Sequence, residues 1–133
     1  MAVLTGPPDA AQRALWEQAV KTAGQAYAPY SGFNVGVALV AGSGAVYAGV
    51  NVESASSPAG VCAERVALGA AATAGERVIT TVAVATADRR DVAPCGVCLQ
   101  ALSEFGDPII VMTIEGEPRV SLLSDLLTVP FRR

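Results

Sequence analysis

Cys62-Ala63-Glu64-Arg65 and, further along, Pro94-Cys95-Gly96-Val97-Cys98 hold every cysteine of a chain that has no histidine. Thiolates are good zinc ligands, and a Cys-x-x-Cys pair offers two of them one helical turn apart on a single face. Structural zinc sites close with four cysteine or histidine ligands; this chain has three such residues in all, so the fourth position would fall to water. An open position of that kind serves hydrolysis, with Glu64, two residues after the first thiol, placed to act as a base. Three other readings of the same residues stand beside this one. They are a thioredoxin-type redox pair from Cys95 and Cys98, a closed structural zinc site with Glu64 as its fourth ligand, and three unrelated buried cysteines. The lack of histidine removes Ser-His and Cys-His nucleophiles, so hydrolysis here has to run through metal and carboxylate.

Position decides whether these residues can cooperate. A helix turns about 100° per residue, so Cys62 and Glu64 would diverge in mid-helix and can share a ligand only at a helix N-terminus. Both cysteine runs read as helix openings, where free N–H groups and the positive end of the helix dipole stabilise thiolates. Three thiolates on a divalent ion leave a net charge of about −1, which weakens the metal as a Lewis acid. Arg65 and the amides around Cys95 to Cys98 could draw charge back by hydrogen bonding to sulfur; the plain alternative is that Arg65 is a surface helix arginine.

The elements that must position these residues can be read in order. From Asp9 to Tyr27 the apolar positions Ala11, Leu15, Ala19, Ala23 and Tyr27 recur every four, with Arg13, Glu17 and Lys21 on another face. This predicts an amphipathic packing helix capped by Asp9. Phe33 to Val40 alternates large and small residues as a strand, Ala41-Gly-Ser-Gly44 reverses the chain, and Ala45 to Val52 completes a hairpin. Beyond it Asn51 and Glu53 project from one face, where an amide beside a carboxylate can hold a diol such as a ribose, or can simply be solvated. After a loop over residues 54–60 a helix runs from about Cys62 to Ala74 on a stripe of Val66, Ala67, Ala70, Ala71 and Ala74, ended by Gly75. Val78 to Thr86 is a buried strand, Pro94 to about Phe105 a third helix, and Ile109 to Ile114 another central strand. Arg119-Val120 reads as a short edge strand, with a helical turn or two over Ser121 to Leu127. Strands interleaved with helices, without repeat or linker, predict one three-layer α/β domain over residues 1–133.

Composition bounds the remainder. A chain of 133 residues with 52% hydrophobic and 16% charged residues argues for a compact fold, with apolar surface to spare for subunit contacts. The net charge of −3, with no cluster of basic residues larger than the pairs Arg89-Arg90 and Arg132-Arg133, speaks against a polynucleotide partner. No apolar run reaches membrane-span length and the start lacks the pattern of a leader, so a soluble cytoplasmic protein without a membrane partner is the expectation. An odd number of cysteines, two of them in a Cys-x-x-Cys, also fits a reducing compartment.

Cys-Ala-Glu followed by Pro-Cys-x-x-Cys resembles the zinc-dependent nucleoside deaminases. Among them the chain most resembles the small homotetrameric cytidine deaminases. The similarity runs from Tyr27-Ala-Pro-Tyr-Ser31 through Phe33-x-Val-Gly-Val-Ala-Leu39, Asn51-Val-Glu53, Gly60-x-Cys-Ala-Glu-Arg65 and Pro94-Cys-Gly-x-Cys-x-Gln100 to the leucine-rich end. The resemblance implies an α/β/α fold around a mixed five-stranded sheet, one zinc ion per chain held by Cys62, Cys95 and Cys98, Glu64 as acid and base, and Arg65 bonded to thiolate. It further implies that Phe33 stacks on the pyrimidine, that the Ala63 backbone contacts the base, and that Asn51 and Glu53 grip the ribose. Phe131 could be an aromatic lent to a neighbouring subunit's pocket. The implied reaction is hydrolytic deamination of cytidine and 2′-deoxycytidine through a zinc-held hydroxide, in pyrimidine salvage. At two positions the chain departs from the family: Ser54 and Ser57 stand where asparagine and tyrosine are usual, the tyrosine at a subunit boundary. An aminonucleoside deaminase of the blasticidin type is therefore the nearest alternative, and a noncatalytic zinc or redox module the alternative from another class.

Overall fold

The computed structural model describes residues 5–133; residues 1–4, which open the run read above for a leader, lie outside them. Helix α1 (Ala10–Ala23) begins at Asp9, whose carboxylate accepts the Gln12 N–H while the Gln12 side chain accepts the Asp9 N–H. This reciprocal cap satisfies two N–H groups that the helix itself cannot. The helix ends with Gly24 at its C-cap, short of Tyr27, which is exposed and bridges instead to Val52. Ala11 is exposed as well, and the buried side is Leu15, Trp16, Ala19 and Ala23. Trp16 is fully buried, and its indole N–H donates to Thr113 Oγ1 at 2.8 Å, so the large apolar ring carries no unpaired donor into the core.

Strands β1 (Val35–Ala41) and β2 (Val46–Val50) form the first hairpin, followed by α2 (Ala63–Thr73) and β3 (Ile79–Thr86). Next come α3 (Gly96–Ser103), β4 (Ile109–Ile114), β5 (Glu117–Leu122) and the short α4 (Leu123–Leu126). The sheet order is β2-β1-β3-β4-β5; β3 and β4 pair in parallel and the other neighbours antiparallel, which makes the sheet mixed. The turn into β5 places Glu115 and Gly116 both at positive φ, 53° and 76°, the left-handed pair that a tight hairpin needs. From it β5 extends well past the two residues expected, and Pro118 is tolerated because this is an edge strand.

The sheet's two faces carry different side chains. Towards α1 lie Ala38, Ala83, Ala85 and Val111, small residues that leave room for Trp16 and Ala19. Towards α2 and α3 lie Val37, Leu39, Val82, Val84, Ile110 and Met112, met by Ala67, Leu68, Ala71, Leu99 and Leu102. Three layers result, as the alternation along β1 predicts. On α2 the buried stripe is Ala63, Glu64, Ala67, Leu68 and Ala71. Ala70 and Ala74, assigned to it from sequence, are exposed. The helix is turned so that Glu64, a charged residue no apolar pattern would select, faces inward. Among the described residues no helix is long and apolar enough to cross a membrane.

Candidate active site

Topology brings the two cysteine runs together. Strands β2 and β3 both pair antiparallel with β1 between them, so they run in the same sense and end at the same edge of the sheet. The loops that leave those ends lead into α2 and α3, and in such folds the crevice beyond the carboxyl ends of strands is where ligands bind. Cys62 is the N-cap of α2 and Cys95 the N-cap of α3, both with extended backbones, and Cys98 follows one turn into α3. The start of β1 lies at the same edge, which adds Phe33 and Val35.

The three Sγ atoms lie within 4.8 Å of one another, with Cys95 and Cys98 at 3.6 Å. A disulfide would need about 2.05 Å, whereas sulfurs on a tetrahedral zinc at about 2.3 Å are about 3.8 Å apart. The spacing and the all-thiol donor set therefore fit zinc. They argue against scattered cysteines, and Cys62 has no part in an isolated redox pair. Among the described residues the metal-competent group is these three cysteines, and the Glu64 carboxylate is not part of it.

Electrostatics around the sulfurs are set by burial and by one cation. Cys98 is fully buried; burial first, and then the Glu64 charge, push its thiol well above the ordinary range. Burial raises Cys95 too, but the N–H groups of Cys98 and Val97 and the neighbouring thiols outweigh it and leave that thiol below its usual value. A divalent cation bound here would deprotonate such thiols outright. Arg65 places Nη2 at 3.8 Å from Cys62 Sγ, and Cys98 and Cys62 both hold it in its charged form. Its Nε is buried without a partner. Arg65 thus turns its guanidinium towards the cysteines, where its positive charge would offset three thiolates on one ion.

A cavity of about 190 Å³ opens beside the sulfurs, lined by Phe33, Val35, Asn51, Cys62, Ala63, Glu64, Val92, Ala93 and Cys95. Glu64 is 4% exposed, and burial raises its pKa against the opposing pull of its own backbone N–H, Cys98 and Arg65. A carboxyl group of that kind can both take and return a proton. Asn51 is braced across the wall: its Oδ1 accepts the Val35 N–H at 2.9 Å and its Nδ2 donates to the Phe33 carbonyl at 2.8 Å. Glu53 is not in this wall. It lines the adjoining groove of about 270 Å³ with Val52, Ser57, Gly60 and Val61, and Asn51 and Cys62 border both spaces. Its carboxylate accepts from the Ser31 hydroxyl and from the Tyr30 and Ser31 N–H groups, at 3.0 and 3.1 Å for the latter two. The Ser31 hydroxyl in particular keeps it ionised.

Of the residues singled out from sequence, Phe33, Asn51, Ala63, Glu64, Cys62 and Cys95 meet in one cavity, with Cys98 alongside. Phe131 does not join them. Gln100 grips its backbone from both sides, donating to the Phe131 carbonyl at 2.9 Å and accepting the Phe131 N–H at 3.0 Å, and leaves the residue 69% exposed. Sequence reasoning missed Val35, Val92 and Ala93 as wall residues and Ser31 as the partner of Glu53. Alternation along β1 could have pointed to Val35, but nothing periodic marks the others. A larger groove of about 450 Å³ between α1 and the sheet, with Leu15, Val40, Val46 and Thr81 in its walls, has neither thiol nor buried carboxylate, so size does not mark the site.

With this geometry in view, the comparisons with known proteins are specific. The family described as the cytidine and deoxycytidylate deaminase zinc-binding region matches residues 10–114. A cytidine deaminase of Halalkalibacterium halodurans is 36% identical over 85% of this chain and 88% of its own length. Among solved structures, the cytidine deaminase of Burkholderia pseudomallei superposes with a TM-score of 0.81 at 43% identity, covering 89% of this chain and 97% of that one. That of Mycobacterium leprae gives 0.80 at 34% identity, covering 91% and 100%.

Proposed function

Because the chain belongs to the cytidine and deoxycytidylate deaminase family and is a zinc-dependent hydrolytic deaminase, we propose that it converts cytidine and 2′-deoxycytidine to uridine and 2′-deoxyuridine with release of ammonia. The observation that carries the reading is the buried Glu64 in the same cavity wall as Cys62 and Cys95, with Cys98 completing the sulfur triangle. Cys62, Cys95 and Cys98 would hold zinc, one ion per chain, and the bound ion would supply the Lewis acidity that makes water a nucleophile near neutral pH. Glu64 takes a proton from the attacking water and delivers it to N3 of the ring, which makes C4 electrophilic as the new C–O bond forms. It then moves the proton of the new C4 hydroxyl to the amino group, the C4–N bond breaks, and ammonia leaves as the C4 carbonyl forms. Burial supports this role, since it brings the carboxyl pKa closer to working pH.

The substrate is held by the walls. Phe33 offers its ring to the pyrimidine, the Ala63 backbone pairs with the base, and Asn51 and Glu53 take the ribose hydroxyls. Asn51 keeps one amide hydrogen and one lone pair beyond the two bonds that brace it to β1, and Glu53 is already ionised. We further place the enzyme in cytoplasmic pyrimidine salvage, as one domain over residues 1–133 in a homotetramer, with Phe131 reaching a neighbour's site. A second reading has one observation in its favour: Ser54 and Ser57 line an open space of about 280 Å³ beside Glu53 and Tyr30, room for a larger cytosine nucleoside of the blasticidin type. A panel of cytidine, deoxycytidine and blasticidin, followed by loss of cytosine absorbance, separates the two. Turnover of the first two is expected; turnover of blasticidin alone would favour the second reading.

A further inference from the structure

Arg89 and Arg90, unremarkable as a pair in sequence, point to opposite sides of the sheet. Arg89 sits at φ 59°, a left-handed conformation rare for a side-chain-bearing residue, and its guanidinium lies over Trp16 at 5.0 Å on the α1 side. The reversal at Arg89 sends the next residue the other way: the Arg90 guanidinium lies 4.8 Å over the ring of Phe33. Phe33 lines the reaction cavity, whereas Arg90 does not.

Arg90 is held by more than its ring contact. Its backbone N–H donates to Thr86 Oγ1 at 2.6 Å, and Thr86 is fully buried at the end of β3. Its Nε meets Asp88 Oδ2 at 2.8 Å, and Nη2 donates to the Gly32 carbonyl, next to Phe33, at 3.1 Å. Asp88 is itself tied to Thr86 Oγ1 at 3.0 Å. A cation restrained at three points over an aromatic face resists rotation of that ring, which Phe33, only partly buried and outside any strand, would otherwise be free to undergo.

We propose that Arg90 is a positioning residue for the deamination: from outside the cavity it fixes the Phe33 ring in the orientation that receives the pyrimidine. The inference rests on the reading of Phe33 as the stacking face, and the test separates the two. Steady-state kinetics with cytidine, and inhibition by cytidine 5′-monophosphate, are compared for Arg90→Ala, Arg90→Lys, Phe33→Leu and the double variant Phe33→Leu/Arg90→Ala. Loss of ring preorganisation predicts a KM raised about three- to five-fold in Arg90→Ala, with kcat within about two-fold. Arg90→Lys recovers part of that loss, because the charge returns without the planar fork. In the Phe33→Leu background the further change to Arg90→Ala adds less than about two-fold, since the ring it acts on is gone. Full additivity of the two losses overturns the proposal, as does a lowered thermal midpoint with KM unchanged. A loss confined to cytidine 5′-monophosphate overturns it too, because Arg90 would then be a phosphate contact. An unchanged KM in Phe33→Leu sinks the stacking reading and the proposal with it.

Discussion

Gly49 sits on β2 directly beneath α2, the helix that carries Cys62 at its start. A Cβ there would lie 2.5 Å from Ala67 N, 2.6 Å from Ala63 O and 3.0 Å from Ala67 Cα, where ordinary contacts are 3.4–4 Å. All three obstacles are helix backbone, so no side chain can rotate aside, and in Gly49→Ala the helix must retreat by about 1 Å. Overpacking of this kind costs about 1–3 kcal/mol of stability. The more telling effect is local: Ala63 lies between Cys62 and Glu64, so the retreat pulls one sulfur and the carboxyl group away from Cys95 and Cys98. A metal site tolerates about 0.2 Å in its ligand distances, and a shift of about 1 Å at reacting groups can cost about 100-fold in rate. Gly36→Ala is the control. Its Cβ would lie 2.3 Å from Ala19 O and 2.4 Å from Ala23 N, pushing α1 off the opposite face of the sheet. Urea denaturation midpoints, zinc affinity by chelator competition and kcat/KM for cytidine are measured on both. Similar stability losses are expected, with zinc affinity and rate lost in Gly49→Ala and retained within a few-fold in Gly36→Ala. Wild-type zinc affinity and rate in Gly49→Ala, or equal loss of both in the control, would refute the claim that this close approach sets the site.

Trp16→Ala empties the largest fully buried side chain and is expected to cost about 3–5 kcal/mol by denaturation, with kcat per folded molecule unchanged because α1 lies across the sheet from the cavity. The carboxyl of Glu53 is held below its usual pKa by the Ser31 hydroxyl, so its stabilising contribution is complete above the unfolded carboxyl pKa, about 4.3, and fades as pH falls through the lower folded value. Thermal midpoints measured from pH 6 down to pH 3 should therefore fall less steeply in Ser31→Ala than in wild type, and parallel curves would count against the contact. Gln100→Leu removes both bonds that hold the Phe131 backbone; hydrogen exchange at the Phe131 amide is expected to speed up to that of an open tail while the core amides stay protected.

Much of this organisation is legible before any coordinates. The alternation of large and small residues along Phe33 to Val40, the Gly-rich reversal at Gly42 to Gly44 and the two helix-opening cysteine runs each follow a local rule, and the structure keeps them, with the strand itself beginning at Val35 rather than Phe33. Boundaries fail where tertiary contacts outrank periodicity. Tyr27 continues the four-residue spacing, but Gly24 ends the helix and Tyr27 leaves it for a bridge to Val52. Trp16 sits beside Leu15 on a spoke that a stripe of alanines hides, and its place in the core depends on Thr113, far along the chain. On α2 the apolar pattern pointed to Ala70 and Ala74, while the helix buries Glu64 and Leu68. At the site, the cysteine spacing names the donors, but that they converge follows from β2 and β3 running in the same sense, a property of the sheet rather than of any motif. Ser31 and Arg90 were not legible at all, because each acts from an irregular loop whose course is fixed by single hydrogen bonds.

The central claim is that a buried carboxyl group beside three zinc-binding sulfurs carries the proton of the reaction. It is tested most directly by the turnover of cytidine in Glu64→Gln, measured on protein whose zinc content has been matched to wild type by metal analysis. Glutamine fills nearly the same space but cannot shuttle a proton, so the rate is expected to fall by about 100- to 10,000-fold with zinc retained. Turnover close to wild type at equal zinc content would contradict it.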